Sequence, residues 1–155
     1  MSTYRFDKLL APRSIALVGA VARPGSLGRS VLDSLRAAGF PGAIMPVQPD
    51  QVAVEGLPCV PRVADLPAAP DLVLIAVPPP SVPEVVAQAA AIGAGAAVIL
   101  TARLGSGPDD PGPVAHRIAR AHGLRLLAAT ASAPAGAAGG SAPVAAGSGA
   151  GVSRL

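Results

Sequence analysis

A short apolar run followed by three spaced glycines constrains the fold of this chain more than any other feature. The run, Ser14 to Val18, has the length of a buried strand, and the loop after it contains Gly19, Gly25 and Gly28 before a helical pattern begins. Such a loop turns backbone N–H groups and the positive end of a helix toward one point, where no Cβ atom obstructs a phosphate. The segment therefore predicts a strand–loop–helix unit that binds a nucleotide-like ligand.

Strand and helix signals alternate along the rest of the chain. The predicted strands are residues 14–18, 43–47, 71–77, 96–100 and 124–127. The predicted helices are residues 27–38, 82–92 with Ser81 as N-cap, and 113–122. Residues 48–70 show no sustained period beyond a single helical turn at 63–66. The alternation predicts an α/β fold, a doubly wound, mostly parallel five-stranded Rossmann-like sheet, whose ligands bind beyond the carboxyl ends of the strands.

The character of the chain changes at residue 128. Of all residues, 51% are hydrophobic and 14% charged, which fits a globular domain with a heavily buried sheet. From residue 128 to residue 155 nearly every residue is Ala, Gly, Ser or Pro, so little large apolar surface is available to offset the entropy of ordering the segment. We therefore predict one domain over residues 1–127 and a disordered tail over residues 128–155.

Charge and residue usage argue against several classes of function. No helix carries a stripe of Lys and Arg, and aromatic residues make up only 2% of the chain, which disfavours nucleic-acid binding. Cys59 is the only cysteine, which excludes an intramolecular disulfide and a cysteine zinc site and fits a reducing compartment. The N-terminus lacks the order of a signal peptide, and no apolar run reaches the length of a membrane span. We expect a soluble, cytoplasmic protein without a membrane partner.

Arginine supplies nearly all of the positive charge. The formal net charge is +3, and Lys8 is the only lysine. Four arginines lie near the glycine loop in sequence and would suit a polyanionic ligand, namely Arg5, Arg13, Arg23 and Arg29. Their abundance is equally consistent with the base composition of a genome, so both interpretations stay open.

The glycine spacing disfavours a dinucleotide site. Gly19 and Gly25 are separated by five residues, so the loop is longer than the fingerprint G-x-G-x-x-G. Asp50 stands near the position of a ribose-binding acid, but two prolines flank that corner. A nicotinamide-dependent dehydrogenase is therefore the weaker interpretation.

Side chains for catalysis or metal binding are also sparse. Ser26 and Ser81 have no His or Asp partner at a recognisable spacing. His116 and His122 do not share a helical face, and Cys59 has no nearby base in sequence. We predict no catalytic residue and no metal ligand.

Five separated motifs resemble one protein family. They are P-R-S-I-A-L-V-G-A, R-P-G-S-L-G, P-V-Q-P, G-L-P-C-V-P-R-V-A-D-L-P and D-L-V-L-I-A-V-P, and the resemblance covers roughly residues 6–127. Together they resemble the N-terminal CoA-binding domain of the NDP-forming acyl-CoA synthetases, whose relatives include the α subunit of succinyl-CoA synthetase. The resemblance implies a Rossmann-like fold and coenzyme A, or an acyl-CoA, as the ligand.

The resemblance also implies which residues hold that ligand. The loop after the first strand would cradle the diphosphate and adenosine, the segments after the second and third strands would complete the site, and the turn after the fourth would help hold the pantetheine. The implied residues are Gly19, Ala20, Val21, Arg23, Pro24, Gly25, Ser26, Leu27, Gly28, Val47, Gln48, Pro49, Ala76, Val77, Pro78, Pro79, Thr101 and Ala102. Family members usually have Ser, Asn and often Lys where this chain has Val21, Gln48 and Asp50.

The function that the resemblance implies is that of a CoA-binding domain or subunit of an NDP-forming acid–CoA ligase. The phosphohistidine and ATP-grasp domains of that family have no counterpart in this sequence, so a separate subunit that carries them is the expected partner. Alone, the chain is expected to bind CoA without turnover. The alternatives are a stand-alone CoA-binding or nucleotide-binding regulatory module and a degenerate fragment.

Overall fold

The part of the chain that the structure describes forms a five-stranded parallel sheet with helices on both faces. The structure is a computed structural model and describes residues 10–19, 21–50 and 52–129. The strands of the main sheet are β1 Ser14–Gly19, β2 Ala43–Val47, β5 Leu72–Ala76, β6 Ala96–Ile99 and β7 Arg125–Ala128. A short antiparallel hairpin consists of β3 Ala53–Val54 and β4 Leu57–Pro58. The helices are α1 Leu27–Ala37, α2 Val82–Ala91 and α3 Pro111–Ala121, with single 3-10 turns at Val63–Asp65 and Pro79–Ser81.

The central strands are apolar on both faces because helices cover both. In β1, Leu17 is fully buried and packs in one cluster with Leu32 of α1. Its neighbours Ala16 and Val18 point to the opposite face and belong to the cluster formed with α2 and α3. A strand buried in this way reads as a continuous aliphatic run, which is why β1 and β5 were the clearest strand signals in the sequence.

The strand order places a topological switch point beside β1. The order is β2-β1-β5-β6-β7, so β1 pairs in parallel with β2 on one side and with β5 on the other. The connections that leave the carboxyl ends of β1 and β5 therefore diverge and open a crevice between them. This confirms the predicted doubly wound, five-stranded fold.

The hairpin β3–β4 was not predicted, since its strands are too short to show a period. Its two turn residues both have positive φ, 51° at Glu55 and 80° at Gly56, as a two-residue type I′ turn requires. The Glu55 carboxylate pairs with the Arg29 guanidinium of α1 at 2.8 Å. The Glu55 carbonyl accepts a hydrogen bond from Arg36 of the same helix at 2.8 Å. These contacts hold a non-glycine residue in the left-handed conformation and fasten the hairpin to α1.

The structure differs from the sequence prediction at two helix N-termini, in the capping contact of α2 and in the first residue of α3. Ser81 stands at the N-cap position of α2, but its side chain makes no capping hydrogen bond because a 3-10 turn already leads into the helix. Helix α3 begins at Pro111, two residues earlier than predicted, since proline suits the first helical position. The carboxylate of Asp110 accepts the Gly107 N–H at 2.7 Å instead of capping α3. In the described ranges, no helix has both the length and the apolar character needed to cross a bilayer.

The sheet includes the first two residues of the segment that was predicted as the tail. Strand β7 runs to Ala128, and the Ala129 N–H donates to the Ile99 carbonyl at 2.8 Å. The rest of the predicted tail, from residue 130, lies outside the described residues.

Candidate functional site

A cleft of about 360 Å³ opens at the carboxyl edge of the sheet. The ends of β1, β2 and β5 form its floor, and the start of α2 and the chain after β4 form its walls. Valine and proline side chains make up most of the lining, with a few polar groups among them. Its volume and mixed character are typical of small-molecule sites at a switch point.

The cleft brings together six of the residues that the resemblance implied. They are Gly19, Val47, Gln48, Pro49, Val77 and Pro78. Ala76 is the last residue of β5 and directly precedes Val77 and Pro78 of the lining. Pro79 follows them as the first residue of a 3-10 turn. Ala20 lies outside the described residues.

Two further groups of lining residues were not predicted. Pro61, Arg62 and Val63 reach the cleft because Val60 forms a parallel bridge to Val47 and carries the following residues over the end of β2. No periodicity in the sequence marks that bridge. Ser81, Glu84, Val85 and Gln88 line the opposite wall from α2. Their spacing of three to four residues places them on one helix face, so that signal was present in the sequence.

The glycine loop between β1 and α1 is anchored at its start and at its end. Val21 is fully buried against Leu17 and Leu32, so its side chain shapes the loop and does not face a ligand. At the other end, the Ser26 hydroxyl donates to the Arg23 carbonyl at 2.8 Å and accepts the Arg29 N–H at 3.1 Å as the N-cap of α1. Val21 and Ser26 thus fix the two ends of the loop, and the residues between them are the ones that could contact a ligand.

Gly25 gives the loop its shape. Its φ is +79°, and a Cβ placed on it would have no heavy atom within 4 Å. Glycine is therefore needed here for the backbone conformation, because L side chains rarely adopt it. The open space above Gly25 leaves its backbone accessible. Pro24 before it is also exposed.

Two exposed residues of this segment have backbone N–H groups without an acceptor among the described residues. They are Gly25 and Leu27, the latter being the first residue of α1. Free donors at a helix start, together with the positive end of the helix dipole, attract an anion. Gly28 at the second helical position is buried and contributes close packing. The donors and the helix dipole at this loop are chemically suited to a phosphate-like group.

The arginines near the loop in sequence are mostly committed elsewhere. The Arg29 guanidinium is paired with Asp33 at 3.2 Å and with Glu55 at 2.8 Å. Arg13 precedes β1 and so lies at the amino edge of the sheet, the opposite edge from the loop. Arg23 is exposed within the loop itself. Arg5 lies outside the described residues.

The turn after β6 supports the cleft without lining it. The Thr101 hydroxyl donates to the Val77 carbonyl at 2.5 Å, which ties the end of β6 to the wall formed by Val77 and Pro78. Ala102 follows as an exposed residue. The Thr101 side chain, which the resemblance assigned to the ligand, thus forms a hydrogen bond with the segment after β5.

The two histidines serve local roles on α3. The Nδ1 atoms of His116 and His122 lie 3.1 Å and 3.0 Å from the carbonyl oxygens of Gly112 and Ile118, each four residues earlier. Within the described ranges, no three His, Cys, Asp or Glu side chains are grouped so that they could hold a metal ion.

Cys59 provides a pH-dependent probe of the region behind the cleft. Burial raises the pKa of its half-buried thiol, and a hydrogen bond involving the Gln48 backbone offsets part of that shift. Since the folded pKa exceeds the unfolded one, this group's contribution to stability is full below the unfolded pKa and is lost as pH rises through the folded pKa.

We expect iodoacetamide to alkylate Cys59 slowly in the folded protein at pH 7 and faster as the pH rises, because the thiolate is the reactive form. Mass spectrometry measures the rate directly, since no second cysteine is present. The urea-unfolded protein is the control and should react several times faster. Equal rates in both states at pH 7 would contradict the prediction.

Comparisons with known proteins point to one family. A family model described as "CoA binding domain" matches residues 13–132. A trans-feruloyl-CoA synthase from an unknown prokaryotic organism is 41% identical over 101 residues, which cover 65% of this chain and 14% of that protein. The ADP-forming acetate–CoA ligase II of Archaeoglobus fulgidus is 34% identical over 122 residues, covering 77% of this chain and 18% of the ligase. This chain thus spans less than a fifth of the length of either relative.

Solved structures share the fold. The dinucleotide-forming acetyl-coenzyme A synthetase 1 of Ca. Korarchaeum cryptofilum, solved with phosphate and ADP, matches with a TM-score of 0.73 and 32% identity over 79% of this chain and 26% of that one. A hypothetical protein from Pyrococcus horikoshii OT3 matches with a TM-score of 0.67 and 27% identity. The latter match covers 83% of this chain and 84% of that chain, so the two are similar in length.

Proposed function

Because this chain belongs to the CoA-binding domain family and is homologous to the N-terminal part of the NDP-forming acyl-CoA synthetases, we propose that it binds coenzyme A at the carboxyl edge of its sheet. The observation that carries the proposal is the glycine loop. Gly25 and Leu27 are exposed at the start of α1, and their N–H groups, which have no acceptor among the described residues, suit the diphosphate of that ligand.

The charges around the cleft favour one orientation of the ligand. Asp50 and Glu84 both line the cleft and would repel a phosphate placed inside it. The Arg62 guanidinium belongs to the same lining, but it is paired with Asp65 at 3.3 Å. The valine and proline side chains of the same cleft suit an uncharged group. We therefore assign the diphosphate to the glycine loop and an uncharged part of coenzyme A to the cleft.

Coenzyme A supplies a thiol that carries an acyl group as a thioester. The residues of this chain would bind and orient it: Gly25 and its neighbours at the diphosphate, Gln48 and Pro49 after β2, and Val77 and Pro78 after β5. These residues are the same ones that the sequence resemblance implied. Binding measurements with variants of these residues test their role.

For the wider role, we propose a CoA-binding subunit of an NDP-forming acid–CoA ligase, located in the cytoplasm. The similarity to ligases several times longer than this chain supports it. A separate subunit with phosphohistidine and ATP-grasp domains would then carry the chemistry. The alternative is a stand-alone CoA-binding module; the match covers 84% of the chain of the Pyrococcus horikoshii protein, so that relative contains little beyond this domain.

Coenzyme A is expected to raise the melting temperature of the protein, whereas NAD is expected to leave it unchanged. The long loop from Gly19 to Gly28 does not match the dinucleotide fingerprint. A ligand at 100 times its dissociation constant should add about 2.7 kcal/mol to the free energy of unfolding. A thermal shift assay with CoA, acetyl-CoA and NAD in parallel makes the measurement. A shift with NAD and none with either CoA compound would refute the proposed ligand.

A further inference from the structure

Two glutamine side chains face the cleft from opposite walls, and each accepts a hydrogen bond from the backbone of a loop. Gln48 Oε1 accepts the Ala22 N–H at 3.0 Å. Gln88 Oε1 accepts the Ala64 N–H at 3.3 Å. The first of these bonds joins β2 to the glycine loop, and the second joins α2 to the 3-10 turn at Val63–Asp65. One amide side chain thus fastens the end of β2 to the glycine loop, and another fastens α2 to the 3-10 turn at Val63–Asp65.

We propose that Gln48 is the positioning residue of the glycine loop. Its side chain holds the loop in the conformation that leaves the N–H groups of Gly25 and Leu27 available to an anion. That the anion is the diphosphate of coenzyme A rests on the proposed function. The hydrogen bond itself does not depend on any ligand.

The backbone of Gln48 is fixed before its side chain reaches the loop. Its N–H donates to the Val60 carbonyl at 2.9 Å, and the Val60 N–H donates to the Pro46 carbonyl at 3.2 Å. These bonds extend the pairing of β2 with the Val60 bridge beyond the last residue of the strand. A side chain on such a rigid support has a defined reach, which a positioning residue needs.

The loop depends on this contact in its middle. Val21 anchors the loop by burial at its start, and Ser26 caps α1 at its end. Between them, the Ala22 bond links the loop to a neighbouring strand. The bond is partly buried, so its loss would leave a donor that water satisfies poorly. A loop with several conformations would then have to be ordered at the moment of binding, which lowers affinity.

Gln48→Leu removes the acceptor and tests the proposal. We expect the amide exchange of Ala22, followed by NMR in the absence of ligand, to become about tenfold faster or more, and the affinity for CoA to fall about tenfold. Gln48→Glu keeps an acceptor of the same length. It should restore the slow exchange of Ala22 while still weakening CoA binding, since it adds a negative charge near the diphosphate.

Gln88→Leu is the matched control because it removes the corresponding acceptor from the other wall. It should accelerate exchange at Ala64 and leave Ala22 as it was. If Gln48→Leu does not fold, Gln48→Ala gives the same readout, since it leaves no side-chain acceptor at this position.

Slow exchange of Ala22 that persists in a folded Gln48→Leu or Gln48→Ala variant would overturn the proposal. Fast exchange with unchanged CoA affinity would overturn it as well, because the loop would then not need positioning. Failure of the wild-type protein to bind CoA would refute the proposed ligand while the exchange result still decides whether Gln48 fixes the loop. The two proposals therefore fail in distinguishable ways.

Discussion

Gly19→Ala is expected to lower the free energy of unfolding by about 3 kcal/mol or more. Gly19 has φ +146°, and a Cβ built on it would lie 2.6 Å from the Ala76 carbonyl oxygen and 3.0 Å from the carbonyl carbon. That carbonyl belongs to the backbone of β5, which pairs with β1 at this very position. It cannot retreat without disturbing the pairing of β1 with β5 at their carboxyl ends. Urea unfolding followed by circular dichroism is the measurement, because the chain has no tryptophan and one tyrosine.

Gly25→Ala separates the two causes of this loss. Gly25 also has a positive φ, but a Cβ there meets nothing within 4 Å. Only the backbone strain remains, so we expect a loss of about 1–2 kcal/mol. Equal losses in the two variants would show that the contact with the Ala76 backbone is not what makes Gly19 necessary.

Gly25→Val is expected to weaken CoA binding more than tenfold, above about 1.4 kcal/mol of binding free energy. A β-branched residue at φ +79° is strained, so the loop would leave the conformation that presents its N–H groups. The valine side chain would also project into the open space through which the loop is reached. Folding should survive because no buried contact is disturbed. Calorimetric titration with CoA measures the effect.

Gly93→Val is the matched control for this experiment. Gly93 has φ +81° and equally open surroundings, but it follows the end of α2 and precedes β6, at the amino edge of the sheet. The variant carries the same backbone strain away from the loop, so CoA affinity should remain that of the wild type. If folded Gly25→Val also binds CoA normally, the glycine loop is not part of the binding site.

The arrangement of the sheet could be predicted from the sequence because burial on both faces leaves a strong pattern. The apolar runs at Ser14 to Val18 and at 71–77 have the length of buried strands, and the alternation with helices limits the topology to a doubly wound sheet. The carboxyl edge of that sheet then follows as the place of the site. These steps need no knowledge of contacts distant in sequence.

The rest of the site depends on contacts between segments that no local pattern reveals. Arg29 seemed available for an anion, but it is paired with Glu55, which lies 26 residues away on a hairpin too short to recognise. The wall at Pro61 and Arg62 exists only because Val60 bridges to Val47. The resemblance did include Gln48 among the site residues, yet its bond to Ala22 could be seen only in three dimensions.

Because Arg29 is paired with Glu55, the glycine loop would attract a phosphate only over a short distance. With the first-turn arginine neutralised by carboxylates, the attraction comes mainly from backbone dipoles and from the exposed Arg23. Dipole fields fall off faster than those of full charges, and at physiological ionic strength even full charges are screened beyond about 8 Å. If the loop binds the diphosphate as proposed, it would capture the phosphate group at hydrogen-bonding range and do little to steer it there through solution. Its selectivity would then arise from the fit of donors to phosphate oxygens, which added salt disturbs far less than it disturbs a cluster of free arginines.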